Sequence, residues 1–205
     1  MNTVNTAGFY NKLYRAQKNV YGTRPSDFVK QIPRIMRGGR VLDLGAGQGR
    51  NSLFLTSHGF DVTAIDLSAD GIEDIRQKAT SWGMRINTQV SDVLEASFEG
   101  MYDVIICSYV LHHLSRDEAM QTIARMQKHT KQGGFNIISA FMANGELFHS
   151  LQKKDLYFPQ HNKMKELYAG WGVPKYTEGV KRCHTRRPDR TQVMNSAASI
   201  MVRKI

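Results

Sequence analysis

A glycine-rich turn directly after an apolar run constrains the fold of this chain more than any other feature. Residues 40–44 read Arg-Val-Leu-Asp-Leu, and residues 45–49, which we call the glycine turn, read Gly-Ala-Gly-Gln-Gly. Glycine is favoured where a turn needs positive φ or where a ligand touches bare backbone. Amides exposed at the start of a following helix favour a carboxylate or a phosphate. The stretch therefore predicts a buried strand, a ligand-binding turn and a helix.

The rest of the chain alternates short apolar runs with amphipathic segments, which predicts an α/β fold with a largely parallel sheet. The expected strands are 40–44, 60–66, 85–90, 102–108 and 135–141, followed by 173–180 and 197–202 with an arginine-rich loop between them. The expected helices are 26–36, 51–58, one capped by Ser68, one opened by a Ser115–Glu118 capping box and closed by Gly133 and Gly134, and one around 164–171. With 205 residues, a single domain is the simplest organisation.

Charge is distributed unevenly along the chain. Lys and Arg total 28 against 18 Asp and Glu, a net charge of +10. Residues 11–40 carry +7 and residues 171–205 carry +6, whereas residues 41–150 carry −5. We expect an acidic middle section that tolerates a cationic or hydroxyl-rich ligand, between ends that present positive charge to an anion. A basic surface that only keeps the chain in solution is the alternative.

Membrane and redox features point to a cytoplasmic setting. No apolar run approaches the ~20 residues of a bilayer span. Residues 1–11 lack both a basic residue and an apolar stretch, which argues against a secretory signal. Only Cys107 and Cys183 occur, too few for a disulfide framework. We therefore expect a cytoplasmic protein with no membrane partner.

Two further acids follow predicted strands and indicate what the glycine turn binds. Asp66 ends the strand after the turn, 17 residues beyond Gly49, where a carboxylate can accept both ribose hydroxyls. Asp92 follows the next strand and can receive an adenine amino group. Dinucleotide enzymes space their glycines G-x-G-x-x-G, but here the third glycine comes one residue early and Arg50 takes its place. The spacing argues against NAD.

The acid two residues before the first glycine, Asp43, gives the pattern its resemblance to class I S-adenosylmethionine-dependent methyltransferases. The resemblance covers residues 40 to about 142 and includes Gly133-Gly134 before the fifth strand. It implies a single-domain, doubly wound, Rossmann-like sheet of seven strands with helices on both faces. The implied cofactor is S-adenosyl-L-methionine, with S-adenosyl-L-homocysteine as product.

The resemblance also implies residue roles. Asp43 would lie near the cofactor's ammonium group, Asp66 would hold its ribose, and Cys107 with Ser108 would lie under its sulfonium. The implied cofactor-binding set is Arg24, Asp43, Gly45, Gly47, Gly49, Asn51, Asp66, Leu67, Asp92, Val93 and Ser108. A helix cap or turn contact is the alternative role for Asp43.

The stretch after the fourth strand limits which class of methyl acceptor is expected. It reads Cys-Ser-Tyr-Val rather than the Asn/Asp-Pro-Pro-aromatic of DNA amino-methyltransferases, and it lacks the paired glutamates of arginine methyltransferases. Two cysteines are also too few for an arsenite methyltransferase. Segments 49–53, 132–136, 156–159, 165–171, 175–178 and 202–204, with Arg24 before the turn, resemble the tellurite-resistance methyltransferase family.

That second resemblance implies a small, anionic methyl acceptor such as tellurite or selenite, bound by a basic cluster. The catalytic candidates are His184, Arg187 and Arg190, with Arg186 beside them. Arginine suits an oxyanion because its planar fork donates paired hydrogen bonds. Two other functions stay open: methylation of RNA or a ribosomal protein, which the basic ends favour, and cofactor binding without catalysis. The alternative interpretation of the basic cluster is a solvated hairpin with no role in the site. The chain is expected to be a monomer or homodimer.

Three further features have open roles. His112 and His113 follow the fourth strand and can contact the acceptor or be structural, but two adjacent histidines do not make a metal site. Cys183 is expected to be an idle thiol. Residues 1–40 combine Tyr10, Tyr14 and Tyr21 with basic residues and can form a helical lid or an ordinary helix with an aromatic face. We therefore divide the domain into a lid (1–40), a cofactor-binding core (41–142) and an acceptor side (143–205).

Overall fold

The computed structural model describes residues 3–151, 155–186 and 191–205. Within this part of the chain, seven strands form one sheet in the order β3-β2-β1-β4-β5-β7-β6. The strands are β1 Arg40–Leu44, β2 Asp61–Asp66, β3 Asn87–Val90, β4 Tyr102–Ser108, β5 Thr130–Phe141, β6 Gly172–Arg186 and β7 Gln192–Arg203. The first five strands pair in parallel, and β7 is antiparallel to both β5 and β6. The predicted doubly wound α/β fold is confirmed.

Helices cover both faces of the sheet. The α-helices are α1 Thr3–Ala16, α2 Ile32–Ile35, α3 Arg50–Ser57, α4 Ala69–Ser81, α5 Arg116–His129, α6 Glu146–Leu151 and α7 Lys163–Glu166. On one face α5 packs its buried Ile123 and Met126 against Ile105 of β4. On the other face lie α3 and α4. Among the described residues, no helix has the length and apolar character needed to cross a membrane.

Two helix starts follow their predicted caps. The Ser68 hydroxyl accepts a hydrogen bond from the Gly71 amide and begins α4. Ser115 and Glu118 form the predicted capping box, in which each side chain accepts a hydrogen bond from the other residue's amide. Because such caps satisfy amides that have no partner within the helix, they fix where each helix begins.

The predicted helix over residues 26–36 is wrong. The segment instead forms a 3-10 helix, Val29–Gln31, followed by the single turn α2. Pro33 explains the break, because it has no N–H to donate to the carbonyl four residues earlier, as a continuous α-helix requires. In the first turn of α2 the missing donor costs nothing, so Pro33 begins a short helix there rather than continuing a long one.

Other helices also differ from the sequence prediction. Gly133 and Gly134 do not close α5, which ends at His129; they lie inside β5, where the pairing with β4 shifts register between Tyr102 and Val104. The helix predicted around 164–171 is limited to the one-turn helix α7, and α6 lies in a segment for which no element was predicted.

The last two strands are longer than predicted and extend past the rest of the sheet. Phe141, the last residue of β5, pairs with Ala197 of β7, which pairs with Gly179 of β6. Residues 180–186 and 192–196 therefore continue as a two-stranded ribbon beyond the carboxyl ends of the parallel strands. We call this extension the basic ribbon. Much of the predicted arginine-rich loop is thus strand.

Candidate active site

Doubly wound folds bind ligands at the carboxyl edge of the sheet, where the chain leaves two neighbouring strands toward opposite sides. In this chain those strands are β1 and β4. The glycine turn follows β1 at this edge. The amides of Gly45 and Ala46 both donate to the carbonyl of Ile65, at 2.8 and 2.9 Å, and so tie the turn to β2. Gly45 has a φ of 69°, and a Cβ there would lie 2.2 Å from Val110 Cγ2. Only glycine fits this position without displacing the loop after β4.

Asp66 ends β2 beside the glycine turn, as predicted. Its Oδ2 accepts a hydrogen bond from the Gly47 amide at 2.7 Å, and its Oδ1 accepts one from the Ser68 amide at 2.8 Å. The carboxyl is buried, and burial raises its pKa above the ordinary value, against the lowering effect of both amides. Because each carboxylate oxygen has a further lone pair, Asp66 can fix the turn and still accept hydrogen bonds from a ligand.

Asp43 is almost fully enclosed, with 1% of its surface exposed. The Ser52 hydroxyl of α3 donates a hydrogen bond to its Oδ2 at 2.5 Å. Burial raises the pKa of Asp43 to about 7, although the Ser52 hydrogen bond and the Arg50 charge act to lower it. The carboxyl therefore gains or loses its proton near neutral pH.

The raised pKa of Asp43 predicts a stability that falls as pH rises. The folded chain holds this proton up to a pKa of about 7, whereas the unfolded chain loses it near the ordinary 3.8. Between these two pH values the unfolded chain gives up the proton more readily than the folded chain, so the free energy of unfolding decreases as pH rises. Relative to Asp43→Asn, the wild type should lose on the order of 4 kcal/mol of unfolding free energy from pH 4 to 8. Urea unfolding at a series of pH values measures this difference.

Asp103 is a control for that experiment, because its contribution to stability should change with pH in the opposite direction. Its carboxylate accepts hydrogen bonds from the Arg40 amide and from Lys131, and the pKa of Asp103 is lowered. The stability that Asp103 contributes is thus present at neutral pH and lost as pH falls through its folded pKa, the reverse of Asp43. Parallel stability curves for the wild type and Asp43→Asn would contradict the account of Asp43.

Three other predicted site residues follow the ends of β2 and β3. Leu67 is half-buried between Asp66 and the start of α4. Asp92 accepts a hydrogen bond on Oδ1 from the Leu94 amide at 2.9 Å. Val93 is buried in the core on the α5 face. Asp92 and Val93 thus belong to a turn after β3, on the same edge as the glycine turn.

β4 ends in two residues with different surroundings. Cys107 is fully buried in the core on the α5 face, and burial raises the pKa of its thiol to about 12. A thiol with this pKa is inert at neutral pH. The hydroxyl of Ser108 is buried and has no hydrogen-bond partner among the described residues. Because buried polar atoms normally have partners, Ser108 is available to a ligand at this edge.

Arg24 and Asn51 lie on the approach to the glycine turn. The Asn51 Oδ1, in the first turn of α3, accepts a hydrogen bond from the Ser26 amide at 3.0 Å. Asn51 is buried by this contact, which anchors the segment that carries Arg24. Arg24 itself is exposed. The structure therefore gives Asn51 a contact that its sequence position did not predict.

Helix α1 lies over the glycine turn, and its contacts were missed by the sequence analysis. Asn11 Oδ1 accepts hydrogen bonds from the Ser68 hydroxyl at 2.7 Å and from the Asp70 amide at 3.3 Å. Arg15 forms an ion pair with Asp70 at 3.0 Å. The Tyr14 hydroxyl lies 3.1 Å from where a Cβ on Gly47 would be. These contacts join α1 to the start of α4 and to the turn.

Gln48, the polar residue inside the glycine turn, also makes contacts that the sequence analysis missed. Its Oε1 accepts a hydrogen bond from the Val20 amide at 2.8 Å, and its Nε2 donates to the Gln17 carbonyl at 3.0 Å and to Asp74 at 2.6 Å. Lys18 pairs with the same Asp74. One side chain thus connects the end of α1, the turn and α4.

The two histidines after β4 have distinct surroundings. They lie in a 3-10 helix, Leu111–His113, above the carboxyl edge. His113 Nε2 is 2.9 Å from the Tyr10 hydroxyl of α1, whereas His112 is buried with its Nδ1 unpartnered within the described part of the chain. Burial lowers the pKa of His113 to about 4 and that of His112 well below its ordinary value. Both rings are therefore neutral.

The predicted catalytic cluster is described only in part. His184 lies on the basic ribbon in β6, but its side chain is outside the described part, as is that of Cys183. Arg187 and Arg190 lie wholly outside the described residues. In residues 3–151, 155–186 and 191–205, no group of three or more His, Cys, Asp or Glu side chains is arranged to hold a metal ion.

Comparison with known proteins identifies the family. A family model described as tellurite resistance protein TehB matches residues 4–196. A probable S-adenosyl-L-methionine-dependent methyltransferase TehB from Haemophilus influenzae (strain 10810) is 31% identical over 201 residues, which are 97% of this chain and 69% of that protein.

Solved structures agree with this assignment. The crystal structure of TehB from Haemophilus influenzae has a TM-score of 0.81 at 27% identity and covers 96% of this chain and 67% of its own. Magnesium protoporphyrin IX methyltransferase (ChlM) from Synechocystis PCC 6803, solved with bound S-adenosylhomocysteine, has a TM-score of 0.71 at 16% identity, covers both chains fully, and shows the fold. The chain is an S-adenosyl-L-methionine-dependent methyltransferase with the class I fold, and it belongs to the TehB family.

Proposed function

We propose that this methyltransferase transfers the methyl group to a small chalcogen oxyanion, tellurite or selenite. The observation that carries the proposal is the basic ribbon, which extends past the carboxyl edge on the side of the sheet next to β5. Residues 181–190 contain five Lys or Arg residues and one Asp, so this part of the chain can attract an anion to the edge where the glycine turn lies. The tellurite-resistance name of the family supports the same acceptor.

The residues at the carboxyl edge fit the cofactor. Gly45 leaves no side chain in the glycine turn, and Val110 packs in the space that a Cβ there would occupy. Ser108 has a buried hydroxyl without a partner among the described residues, and Asp66 keeps free lone pairs at the end of β2. Asp66 would bind the ribose hydroxyls, and Asp43, when ionised, would stabilise the ammonium group. When bound, the cofactor supplies an electrophilic methyl group on its sulfonium.

The remaining contacts follow from position along the same edge. Asp92 and Val93 after β3, together with Leu67 after β2, would contact the adenine end. Arg24 would reach the other end from the segment that Asn51 anchors. Helix α1, which packs on the glycine turn through Tyr14, would then act as the lid that excludes water from the reacting methyl group. Residues 1–40 and 41–142 would thus share the cofactor.

Methyl transfer is an in-line displacement, so the protein chiefly needs to hold the two reactants in alignment. Tellurite and selenite have a lone pair on the chalcogen that can attack the methyl carbon directly. In the proposal, Arg187 and Arg190 hold the oxygens of the anion and His184 orients it. No strong base is required for the attack itself.

A turnover assay with several acceptors tests the proposal. Formation of S-adenosylhomocysteine is measured with tellurite, selenite, a thiol and total RNA, each at low and high salt. We expect turnover with tellurite or selenite that Arg187→Ala reduces while affinity for S-adenosylhomocysteine stays unchanged. Lys181→Ala, a charge removed from an exposed position on the same ribbon, is the matched control and should retain most of the turnover.

The other acceptors separate the rival functions. Turnover with RNA that falls steeply with salt would replace the oxyanion with a nucleic-acid substrate. Cofactor binding without turnover on any acceptor would contradict an enzymatic role for this site. Equal turnover by the wild type and Arg187→Ala on tellurite would remove the basic cluster from the acceptor site.

A further inference from the structure

His112 is held directly above the carboxyl edge by the turn that follows β4. The chain reverses at Tyr109, which has a φ of 59°, and the next residue, Val110, packs on Gly45 of the glycine turn. The 3-10 helix Leu111–His113 begins immediately afterwards. His112 is thus two residues from a direct contact with the turn that would bind the methionine part of the cofactor.

Three rings lie near that of His112. The His112 ring centroid is 4.1 Å from that of His113, 4.9 Å from that of Phe141 and 6.1 Å from that of Phe158, and Phe141 is in turn 4.8 Å from Tyr109. We call Tyr109, Phe141 and Phe158 the aromatic wall. Phe141 ends β5, and Tyr109 follows β4, so the wall lies between the glycine turn and the basic ribbon.

The unpartnered nitrogen of His112 distinguishes it from its neighbour. His113 is engaged by the Tyr10 hydroxyl at 2.9 Å and is thereby connected to α1. His112 is 6% exposed, yet its Nδ1 has no hydrogen-bond partner among the described residues. A buried polar atom without a hydrogen-bond partner is unfavourable, and a phenylalanine would fill the same space without that cost. A ligand that binds Nδ1 explains why a histidine stands here.

We propose that His112 Nδ1 binds the methyl acceptor, by accepting a hydrogen bond from a chalcogen compound that arrives with an acidic O–H, S–H or Se–H. The inference rests on the proposed function and defines the protonation state of its substrate. Neutral imidazole with its proton on Nε2 has a free lone pair on Nδ1, which suits a donor and not a bare anion. The aromatic wall suits a soft, polarisable atom, as sulfur does beside aromatic rings.

His112 also provides a destination for the proton. With singly protonated tellurite, the tellurium lone pair forms the Te–C bond, and the S–C bond breaks with its electron pair remaining on sulfur. The O–H proton passes to Nδ1, so no external oxidant or reductant is needed. The imidazolium gains the positive charge that the sulfonium loses, and the net charge of this buried region stays constant. His112 returns the proton to water when the product leaves.

The test compares His112→Phe with His112→Asn and with a matched control. Tyr157→Phe is the control because the Tyr157 hydroxyl is also buried and unpartnered in the described chain, but Tyr157 belongs to the core on the α5 face. Two quantities are measured for each variant: turnover of tellurite, and the rise in melting temperature that tellurite causes in the complex with S-adenosylhomocysteine. The second readout does not depend on catalysis.

We expect His112→Phe to fold and bind S-adenosylhomocysteine like the wild type, since it removes an unsatisfied polar atom. It should show no tellurite-induced rise in melting temperature, and its turnover should fall about 100-fold. Tyr157→Phe should keep the rise and the wild-type turnover. His112→Asn, whose side-chain oxygen can accept a hydrogen bond near the Nδ1 position, should recover the rise but little of the turnover.

Three results would overturn the inference. Wild-type turnover and binding in His112→Phe would show that the ring is structural. If His112→Phe does not fold, His112→Asn with full turnover would show that no base is needed. A wild type that neither binds nor methylates tellurite, selenite or a thiol would refute the proposed function, and the inference with it. This result differs from a failure of the inference alone, because it appears in the wild type and not only in the variants.

Discussion

Asp66→Ala should lose affinity for S-adenosylhomocysteine by at least about 100-fold, because in the proposed site Asp66 accepts two hydrogen bonds from ribose hydroxyls, and a hydrogen bond to a charged carboxylate is worth ~1.5–3 kcal/mol. The substitution also leaves the buried amides of Gly47 and Ser68 without their acceptor. A further loss of about 1–3 kcal/mol in unfolding free energy is therefore expected for each amide that stays unpaired. Calorimetric titration measures the affinity, and urea unfolding measures the stability.

Asp61→Ala is the matched control for that substitution. Asp61 begins the strand that Asp66 ends, so it lies at the opposite edge of the same sheet and is exposed. It should bind S-adenosylhomocysteine like the wild type. Asp66→Asn separates the two roles of Asp66, since an amide oxygen can still accept one backbone hydrogen bond but carries no charge. Folded Asp66→Ala protein with wild-type affinity would remove Asp66 from the cofactor site.

Gly45→Ala is the substitution with the second largest expected effect. A left-handed φ costs an alanine about 1–2 kcal/mol, and overlap of its Cβ with Val110 should add about 1–3 kcal/mol as the loop after β4 moves. We expect a total loss of about 2–5 kcal/mol in unfolding free energy. Because the moved loop carries His112, turnover should fall further than stability alone explains. Urea unfolding and turnover of tellurite measure the two effects.

Two companion variants separate strain from overlap. Gly59→Ala has the same left-handed backbone, with a φ of 82°, but nothing lies within 4 Å of the added Cβ. It should therefore lose only the strain part, about 1–2 kcal/mol. Adding Val110→Ala to Gly45→Ala should remove the overlap and recover part of the stability. Equal losses in Gly45→Ala and Gly59→Ala would contradict close packing at the glycine turn.

The sheet and the location of its acids were predictable because the signals are local. Asp43 lies in the apolar run before the glycine turn, and Asp66 ends the next apolar run, so strand periodicity alone placed both at the carboxyl edge. The parallel order of the strands follows from the helices between them. Pro33 was an equally local signal against a helix over 26–36, and the apolar spacing of that segment concealed it.

Contacts between distant parts of the chain were not predictable in the same way. The contact of Tyr14 with the glycine turn and that of Asn11 with the start of α4 depend on where α1 packs. The spacing of residues within α1 does not specify that position. Gln48 gave no signal because a polar residue inside a turn is ordinary. The length of the basic ribbon was missed because it is polar and lies beyond the sheet core, where strands lack alternation between apolar and polar residues.

Transfer of a labelled methyl group tests the central claim most directly. The enzyme is incubated with tellurite and S-adenosylmethionine that carries a trideuteromethyl group, and the tellurium products are analysed by mass spectrometry. We predict trideuteromethyl-tellurium in an amount equal to the S-adenosylhomocysteine formed, and none with Asp66→Ala. S-adenosylhomocysteine formed without labelled tellurium or, in a parallel reaction, labelled selenium would contradict the account.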